Sequence, residues 1–441
     1  MLDENFLGDR YKKHVFIPWH KQADISPQKI KEACGIYLTL DSGERLIDMK
    51  SQAFCANLGH SHKGMQQAIA HAAQNAQVLS SEWLCQERLH LAQDLIHIAP
   101  KNNSQQLEKV FFTLGGAEAN ENAIKIARMV TKRHKIITRF RSYHGATIAT
   151  INLSGDYRRI PVDYAMSGVI RFPDPYPRGS GQHIDTVRLL EEIIEIEGAE
   201  TIAAIMLEGI TGANGVFVPP KDYWPRIRKI CDDNGIILIA DEVLSGFCRT
   251  GEWFGVDHFK VVPDIMTLSK GLTAGYMPLG ALLVNKNIAD HFDHEVLSCG
   301  LTQYGHSLSC TAARAAIGFY ESENILTNVK ARGLELDHAL KELAKNNPLI
   351  AETRSIGLLS ALDLQKANQE PLVPYRASKE ELKPAMIVQN ALKKQGISAL
   401  VRFSTIILAP PLIINKNELQ LALEKITDAL RDCFENYFSL R

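Results

Sequence analysis

Short apolar runs alternate with amphipathic stretches through the middle of the chain. Six short runs, several of them rich in isoleucine, predict strands at 110–113, 135–139, 169–172, 202–207, 236–240 and 265–269. Residues 118–130 carry apolar side chains at helical spacing, and residues 222–233 form a second such stretch that Asn-Gly at 234–235 ends. This alternation predicts an α/β fold whose mostly parallel sheet is covered by helices on both faces.

The pattern changes after about residue 310. It predicts helices at 312–320, 329–343 and 419–434, strands at 357–364 and 398–408, and earlier short strands around 35–40 and 46–48. A chain of 441 residues is also too long for one ordinary core. We therefore expect a large domain over 61–310, a smaller α+β domain over 311–441, and an N-terminal segment, 1–60, that packs with the smaller domain.

The charge balance argues against partners that bind through long-range electrostatics. The sequence holds 49 Lys and Arg against 50 Asp and Glu, and the basic residues are spread along the chain. We therefore expect no nucleic-acid or membrane partner, and we expect any important basic residue to contact a small anion. No apolar run approaches the ~20 residues that cross a bilayer, and the acidic start lacks the pattern of a signal peptide.

The spacing of cysteines and histidines gives neither a disulfide framework nor a metal motif. The eight cysteines are scattered, with no Cys-x-x-Cys among them, which favours reduced thiols in a cytoplasmic protein. The histidine pairs at 60/62 and 291/294 are not joined by a further ligand at metal-site spacing. We therefore expect no metal.

Two predicted strands each deliver a charged residue at their carboxyl end, where ligands bind in parallel sheets. The strand 236–240 is followed by Asp241, whose carboxylate is costly to bury unless a cation or a strong donor meets it. The strand 265–269 is followed by Lys270, with glycines close behind, which fits a buried nucleophile with a lowered pKa. The simpler alternatives are a structural ion pair for Asp241 and a solvated surface lysine for Lys270.

Two other strand ends carry groups that suit a flat, phosphorylated ligand. The sequence GGAE at 115–118 joins a strand to a helix, where backbone N–H groups can bind phosphate. It matches neither a Walker loop nor a dinucleotide fingerprint, and its alternative is a tight turn without a ligand. In SYHG at 142–145, Tyr143 can stack on a planar ring, although a lone aromatic is more often core packing.

Together these four groups match what pyridoxal phosphate needs from a protein. The cofactor needs a phosphate cradle, an aromatic platform, an anion opposite the pyridine nitrogen and an amine for its aldehyde. All four occur within one predicted α/β domain. We therefore expect pyridoxal 5'-phosphate as the cofactor.

Stretches around these residues resemble the signature region of the class III aminotransferases, which are pyridoxal-phosphate enzymes of fold type I. They are DEVLSGFCRTG at 241–251, PDI at 263–265 and LSKGL at 268–272. The resemblance extends from about Gly35 to Pro411, most of the chain. It implies a large domain with a mostly parallel sheet, a smaller α+β domain and a transaminase reaction.

Three further stretches are most similar to the ω-amino-acid branch of that class, which includes taurine:pyruvate and β-alanine:pyruvate aminotransferases. They lie at 54–60, 143–147 and 207–215. The resemblance implies transfer of an amino group from an amine or ω-amino acid, such as taurine, β-alanine or γ-aminobutyrate, to a 2-keto acid. An aminomutase, epimerase or decarboxylase on the same fold is the alternative, and a nonenzymatic binding protein is a third hypothesis.

The resemblance also implies roles for the residues around the cofactor ring. Lys270 would form the Schiff base with the cofactor and then move the substrate α-proton. Asp241 would pair with the pyridinium nitrogen. Tyr143 and Val243 would pack against opposite faces of the ring.

Other implied contacts involve the phosphate and the surroundings of the ring. Gly116 and Ala117 would give backbone N–H groups to the phosphate, although GGA at 115–117 replaces the family's usual Ser-Gly-Ser. Thr302 would reach the phosphate from the partner subunit, which implies a homodimer with a shared active site. Glu208 and His144 would lie near the cofactor, and we expect a structural role for the histidine.

Three residues are implied for substrate binding. Arg402 would grip a substrate carboxylate. Trp19 and Phe54 would form pocket walls, with core packing as the alternative for both. The dipeptide Gln-Tyr at 303–304 departs from the family pattern and leaves the local shape of the pocket open.

Overall fold

The computed structural model describes residues 4–176 and 184–438. The strands are β1 (Ile30–Cys34), β2 (Tyr37–Leu40), β3 (Arg45–Asp48), β4 (Leu107–Thr113), β5 (Lys135–Arg139), β6 (Val169–Phe172), β7 (Ile202–Glu208), β8 (Ile237–Asp241), β9 (Ile265–Leu268), β10 (Gly280–Asn285), β11 (Ile350–Ile356), β12 (Leu359–Leu364), β13 (Ile397–Ser398), β14 (Leu400–Arg402) and β15 (Thr405–Leu408). The helices are α1 (Glu4–His14), α2 (Ser51–Phe54), α3 (Lys63–Ala73), α4 (Gln86–Ile98), α5 (Gly116–Thr131), α6 (Ile148–Leu153), α7 (Thr186–Glu197), α8 (Tyr223–Asn234), α9 (Lys286–His291), α10 (Ser307–Ser322), α11 (Ile325–Asn346), α12 (Lys383–Lys394) and α13 (Lys416–Cys433).

The central sheet has seven strands in the order β4-β10-β9-β8-β7-β5-β6. Neighbours from β9 to β6 are parallel, whereas β10 runs antiparallel to both β4 and β9. The six predicted strands are all present, and the mostly parallel sheet is confirmed. The seventh strand, β10, was missed because its first glycine and the preceding Gly- and Pro-containing segment gave it the look of a loop beside Lys270.

The strands at the centre of this sheet are buried on both faces. Every residue of β7 and β8 is buried. On one face, Ala123 and Ile126 of α5 pack into a cluster with Ile239, and on the other Trp224 of α8 packs into a cluster with Leu238. Alternate residues of one strand therefore pack into two different cores. A charged side chain at the end of such a strand is buried by protein atoms unless a ligand cavity lies beside it.

Two smaller sheets are built from the terminal parts of the chain. One has the order β1-β2-β3-β13, in which β3 and β13 pair in parallel through Ile47 and Ile397. The other has the order β11-β12-β15-β14 and is antiparallel. The strand predicted at 398–408 was wrong as a single element, because turns divide this segment into β13, β14 and β15. Strand β11 was missed because charged and polar side chains interrupt its apolar pattern.

Helices near the C-terminus extend beyond their predicted bounds. Helices α10 and α11 are longer at both ends than the predicted 312–320 and 329–343. Helix α13 begins earlier than predicted, because Asn415 and Glu418 form a capping box at its start. Among residues 4–176 and 184–438, the helices include none with the length and apolar character that crossing a membrane requires.

Candidate active site

Lys270 follows β9 after one intervening residue, Ser269, at an edge of the sheet formed by neighbouring strand ends. Its φ of +44° lies in the left-handed region that favours glycine, so the surrounding structure must hold this residue in place. Burial lowers the pKa of Lys270, and Asp241 and Glu208 partly oppose that shift. A lysine with a lowered pKa holds more of the neutral amine that can attack a carbonyl carbon.

Asp241 ends the adjacent strand β8 and is almost fully buried. Its Oδ2 accepts hydrogen bonds from His144 Nδ1 at 2.7 Å and from Asn120 Nδ2 at 2.8 Å. Its Oδ1 accepts from the Val243 backbone N–H at 3.1 Å. Because a carboxylate only accepts, the His144 ring carries a proton on Nδ1, and its Nε2 forms a hydrogen bond with Thr138 Oγ1 at 3.1 Å.

Sequence reasoning missed two further residues that orient this carboxylate, Asn120 and Thr267. Asn120 also donates to the His144 carbonyl oxygen at 2.7 Å, and its own Oδ1 accepts from Thr267 Oγ1 at 2.6 Å. Both side chains are buried. The sequence did contain a signal for each residue. Asn120 is a polar side chain on an otherwise apolar helix face, one turn after Gly116, and Thr267 is a polar side chain inside the apolar strand β9. The Asp241 carboxylate is therefore fixed from both sides.

Tyr143 is placed by Glu208, which lies at the end of β7. The buried Glu208 carboxylate accepts from the Tyr143 backbone N–H at 3.1 Å and from the Gly212 N–H at 3.0 Å. Burial raises the pKa of Glu208. The glutamate thus joins two loops at the sheet edge and leaves the Tyr143 ring half-buried.

Helix α5 begins at Gly116 and supplies an anion site at the same sheet edge. Its first-turn N–H groups, including those of Gly116 and Ala117, have no acceptor within the helix and carry the positive end of its dipole. A Cβ at Gly116 would lie 2.8 Å from both methyl groups of Val243. Glycine is therefore needed for this helix start to approach Val243.

These positions fit pyridoxal phosphate in the donor groups that they present. An amine with a lowered pKa and a buried carboxylate stand near the ends of adjacent strands, with a helix N-terminus suited to a phosphate and an aromatic side chain beside them. The space between Gly116 and Val243 cannot accept an extra methyl group. The arrangement can hold a flat anionic ring and keep an amine next to it.

Arg402 and Arg158 share one carboxylate, that of Asp156, beside the Tyr143 ring. Arg402 Nη2 lies 2.5 Å from Asp156 Oδ2, and Arg158 Nε lies 2.9 Å from Asp156 Oδ1. Arg158 Cζ stands 3.9 Å from the centroid of the Tyr143 ring. Asp156 is fully buried, and two guanidinium groups against one carboxylate leave a surplus of one positive charge. Sequence reasoning missed Asp156 and Arg158, since only the fold joins them to Arg402.

The two aromatic pocket candidates differ in their surroundings. Trp19 is 56% exposed, so core packing is wrong for this residue, and its ring lies 5.0 Å from Arg158 Cζ. Phe54 is half-buried, with its ring centroid 5.8 Å from Lys270 Nζ. Thr302 is exposed on the single chain. Its neighbour Tyr304 packs edge-on against Phe111 and Phe112 and therefore serves the core rather than the pocket.

Comparison with known proteins identifies the family to which this chain belongs. The model of the class-III aminotransferase family matches residues 20–430. Putrescine–pyruvate aminotransferase of Pseudomonas aeruginosa is 31% identical over 433 residues, which cover 92% of this chain and 90% of the relative. A probable γ-aminobutyrate transaminase 2 of Oryza sativa subsp. indica is 30% identical, covering 98% of this chain and 91% of the relative.

Solved structures of similar proteins have the same fold. The taurine:2-oxoglutarate aminotransferase of Bifidobacterium kashiwanohense, solved with PLP and glutamate, superposes with a TM-score of 0.94 at 37% identity over 99% of both chains. An S-selective transaminase of Bacillus megaterium gives a TM-score of 0.92 at 27% identity, covering 99% of this chain and all of that one (100%). The chain therefore belongs to the class-III aminotransferase family and is a pyridoxal-phosphate-dependent transaminase of fold type I.

Proposed function

We propose that this transaminase moves an amino group from an amine or ω-amino acid to a 2-keto acid, such as pyruvate or 2-oxoglutarate. The observation that carries the proposal is the surplus positive charge of the two arginines on Asp156, next to Tyr143 and in the same site as Lys270. An acid group on either substrate would neutralise that charge. The named substrates of the relatives, putrescine, γ-aminobutyrate and taurine, support the same choice of donor class.

The chain's own residues divide the work in this proposal. Bound pyridoxal phosphate supplies the electron sink for breaking the bond to the substrate α-hydrogen. Lys270 Nζ would bind the cofactor in the resting enzyme and would carry the α-proton during turnover. Asp241 would face the pyridine nitrogen as a fixed anion, and His144 donates a hydrogen bond to its carboxylate.

The remaining cofactor contacts hold the ring and the phosphate. Tyr143 and Val243 would enclose the ring between them, and Glu208 fixes the Tyr143 backbone. Gly116 and Ala117 would donate backbone N–H groups to the phosphate. We propose that Thr302 of a second subunit completes the phosphate site.

Borohydride trapping tests the cofactor and the lysine together. The purified protein should show visible absorption from a bond between cofactor and protein, which borohydride converts to a stable adduct on the Lys270 peptide. In a second sample that has not been treated with borohydride, taurine, β-alanine or γ-aminobutyrate alone should convert the cofactor to its aminated form. An epimerase or decarboxylase would not leave the cofactor aminated in its normal cycle, and an aminomutase would return the amino group to the same carbon skeleton instead of releasing a carbonyl product. An unlabelled Lys270 would overturn the assignment.

Arg158 should set the preference for acidic donors. We propose that its guanidinium binds the distal acid group of the donor, while Arg402 binds the carboxylate of the keto acid. Arg158→Met should lower kcat/KM for β-alanine or taurine by about 10- to 100-fold, since a charged hydrogen bond is lost. It should change kcat/KM for an uncharged amine of similar size by less than about threefold. Equal losses for both donors would contradict the assignment.

We propose a homodimer whose interface passes beside Thr302. Trp83 and Leu84 are 64% and 80% exposed in the single chain, which is unusual for such apolar side chains. Arg88 ties their segment to the Thr302 segment, because its Nη2 donates to the Leu79 carbonyl at 2.6 Å and its Nε to the Gly305 carbonyl at 2.9 Å. The exposed apolar surface thus adjoins the residue expected to enter the partner's site.

Leu84→Arg should weaken this dimer. A buried unpaired charge at the interface costs several kcal/mol, so sedimentation should shift towards the monomer and the affinity for pyridoxal phosphate should fall. Leu334→Arg is the matched control, because Leu334 is equally exposed but lies on α11. A Leu84→Arg protein that stays dimeric and retains its cofactor would exclude this interface.

The domain division and the cellular location of the protein are part of the same proposal. We propose the division into residues 1–60, 61–310 and 311–441, and the pairing of β3 with β13 supports contact between the first and last parts. We also propose a cytoplasmic location. The eight cysteines are all free thiols, which suits a reducing compartment.

A further inference from the structure

The turn at 51–54 (α2), which carries Phe54 towards Lys270, has a strained backbone. Three of its four residues, Ser51, Gln52 and Phe54, have φ of +46°, +58° and +61°. Gln52 combines its positive φ with a ψ of −96°, far from the left-handed helical minimum. Side chains other than glycine adopt such a conformation only where their surroundings fix it.

One buried carboxylate fixes the most strained residue. Asp48 has no exposed surface, and its Oδ2 accepts from both the backbone N–H and the side-chain Nε2 of Gln52 at 3.0 Å. The same carboxylate accepts from the Lys50 N–H at 3.2 Å and lies 3.0 Å from His60 Nε2. Asp48 is therefore saturated with donors, two of which belong to Gln52.

The start of the turn is tied to the rest of the molecule by its first residue. Ser51 Oγ donates to the Ala409 carbonyl at 2.7 Å and accepts from Arg249 Nη2 at 3.3 Å. Arg249 is itself fully buried, and its Nη2 also donates to Asn57 Oδ1 at 2.9 Å. The turn is thus clamped at Ser51 by a rigid frame, and Asp48 decides the path of the chain from there to Phe54.

We infer that Asp48 is a positioning residue for the donor pocket: its carboxylate holds the 51–54 turn in a strained conformation that sets the Phe54 ring against Lys270. The inference rests on the proposed function, in which Phe54 is a wall of that pocket. The ring centroid lies 5.8 Å from Lys270 Nζ, so a shift of the turn changes the space beside the reacting amine. Asp48 touches neither cofactor nor substrate in this account and acts only through the turn.

The test compares the holoenzyme of Asp48→Asn with Gln52→Gly and with the double variant. Asparagine keeps the shape of Asp48 but loses the negative charge and replaces one of the two oxygens that accept from the Gln52 N–H with an NH2 group, which weakens the hold on the turn. Glycine at 52 removes the strain, because it adopts positive φ freely. Asp41→Asn is the matched control, since Asp41 lies in the turn between β2 and β3 and pairs with Lys29 at the surface.

Two readouts separate positioning from general stability. Asp48→Asn should change the ratio of kcat/KM for a bulky donor, 1-phenylethylamine, over β-alanine by at least tenfold, with the KM of the keto acid within twofold. Iodoacetamide labelling of Cys55, mapped by mass spectrometry, should change at least fivefold relative to Cys34. Gln52→Gly in the Asp48→Asn background should return both values to within threefold of wild type.

Different results would overturn the role of Asp48 and the proposed transaminase function. An unchanged donor ratio and unchanged Cys55 labelling in Asp48→Asn would overturn the inference, as would a change that Gln52→Gly does not reverse. A wild-type protein whose cofactor no donor aminates would instead overturn the proposed function. In that event Cys55 labelling alone would still decide whether Asp48 holds the turn.

Discussion

Replacing Lys270 by alanine should lower kcat by about 10⁴-fold or more, because one amine both anchors the cofactor and moves the proton. Lys270 stands at the sheet edge near Asp241, where the surrounding structure holds its left-handed backbone in place. Single-turnover mixing with β-alanine and stopped-flow absorbance would measure the loss of the amination step directly. Added methylamine should restore part of that rate by entering the space that the side chain leaves.

Lys286→Ala is the control for this prediction. Lys286 begins α9 and pairs with Asp290 at the surface, so its loss should leave kcat within about twofold. A Lys270→Ala protein that retained wild-type turnover would end the assignment of the catalytic amine. A Lys270→Ala protein that still bound the cofactor noncovalently would be compatible with the assignment, because the other proposed contacts to the phosphate and the ring would remain.

Asp241→Asn should lower kcat by about 10²- to 10³-fold, the effect of removing one fixed charge that stabilises a transition state. Asparagine would keep one oxygen to accept from His144 and Asn120 but would set its NH2 group against the Val243 N–H, so the network would lose its anion and one of its hydrogen bonds. We expect the loss in the amination step rather than in the binding of the donor. Rapid mixing with each substrate would separate the two.

Asp264→Asn is the matched control, because Asp264 is a half-buried carboxylate that immediately precedes β9 in the same sheet. Asp264 accepts from the Leu238 N–H and pairs with Arg228, away from Lys270. Its replacement should lower the midpoint of thermal unfolding while leaving kcat within about threefold. If Asp241→Asn reduced stability but not the amination rate, the carboxylate would be structural.

The sequence was sufficient for residues whose roles depend on neighbouring strand ends. Asp241 and Lys270 each follow an apolar run, and parallel strands bring such ends to one edge of a sheet, so their proximity could be predicted. His144 was expected to be structural, and its bond to Asp241 places it in direct support of the site. Strand β10 was not predicted, because GALLVN follows glycines that suggested a loop.

Contacts between distant parts of the chain were beyond the sequence pattern. Asp156 meets Arg402 only because a loop after α6 lies against β14, 246 positions along the chain. Arg158 resembled an ordinary surface arginine, and nothing in its neighbours indicated a place over Tyr143. Strain at 51–54 could not be predicted either, since it is imposed by Asp48 and by partners that fold around the turn.

The parallel pairing of β3 with β13 has a consequence for how the chain is made. Ile47 is synthesised 350 residues before its partner Ile397 (397 − 47). During translation the β1-β2-β3 sheet therefore has an unpaired edge at β3. Apolar residues such as Leu46 and Ile47 then lack their final neighbours. Strand pairs that are far apart in sequence form slowly. We therefore expect the refolding yield to depend on chaperones or on a low protein concentration, and to be lower without them than the stability of the folded protein alone would predict.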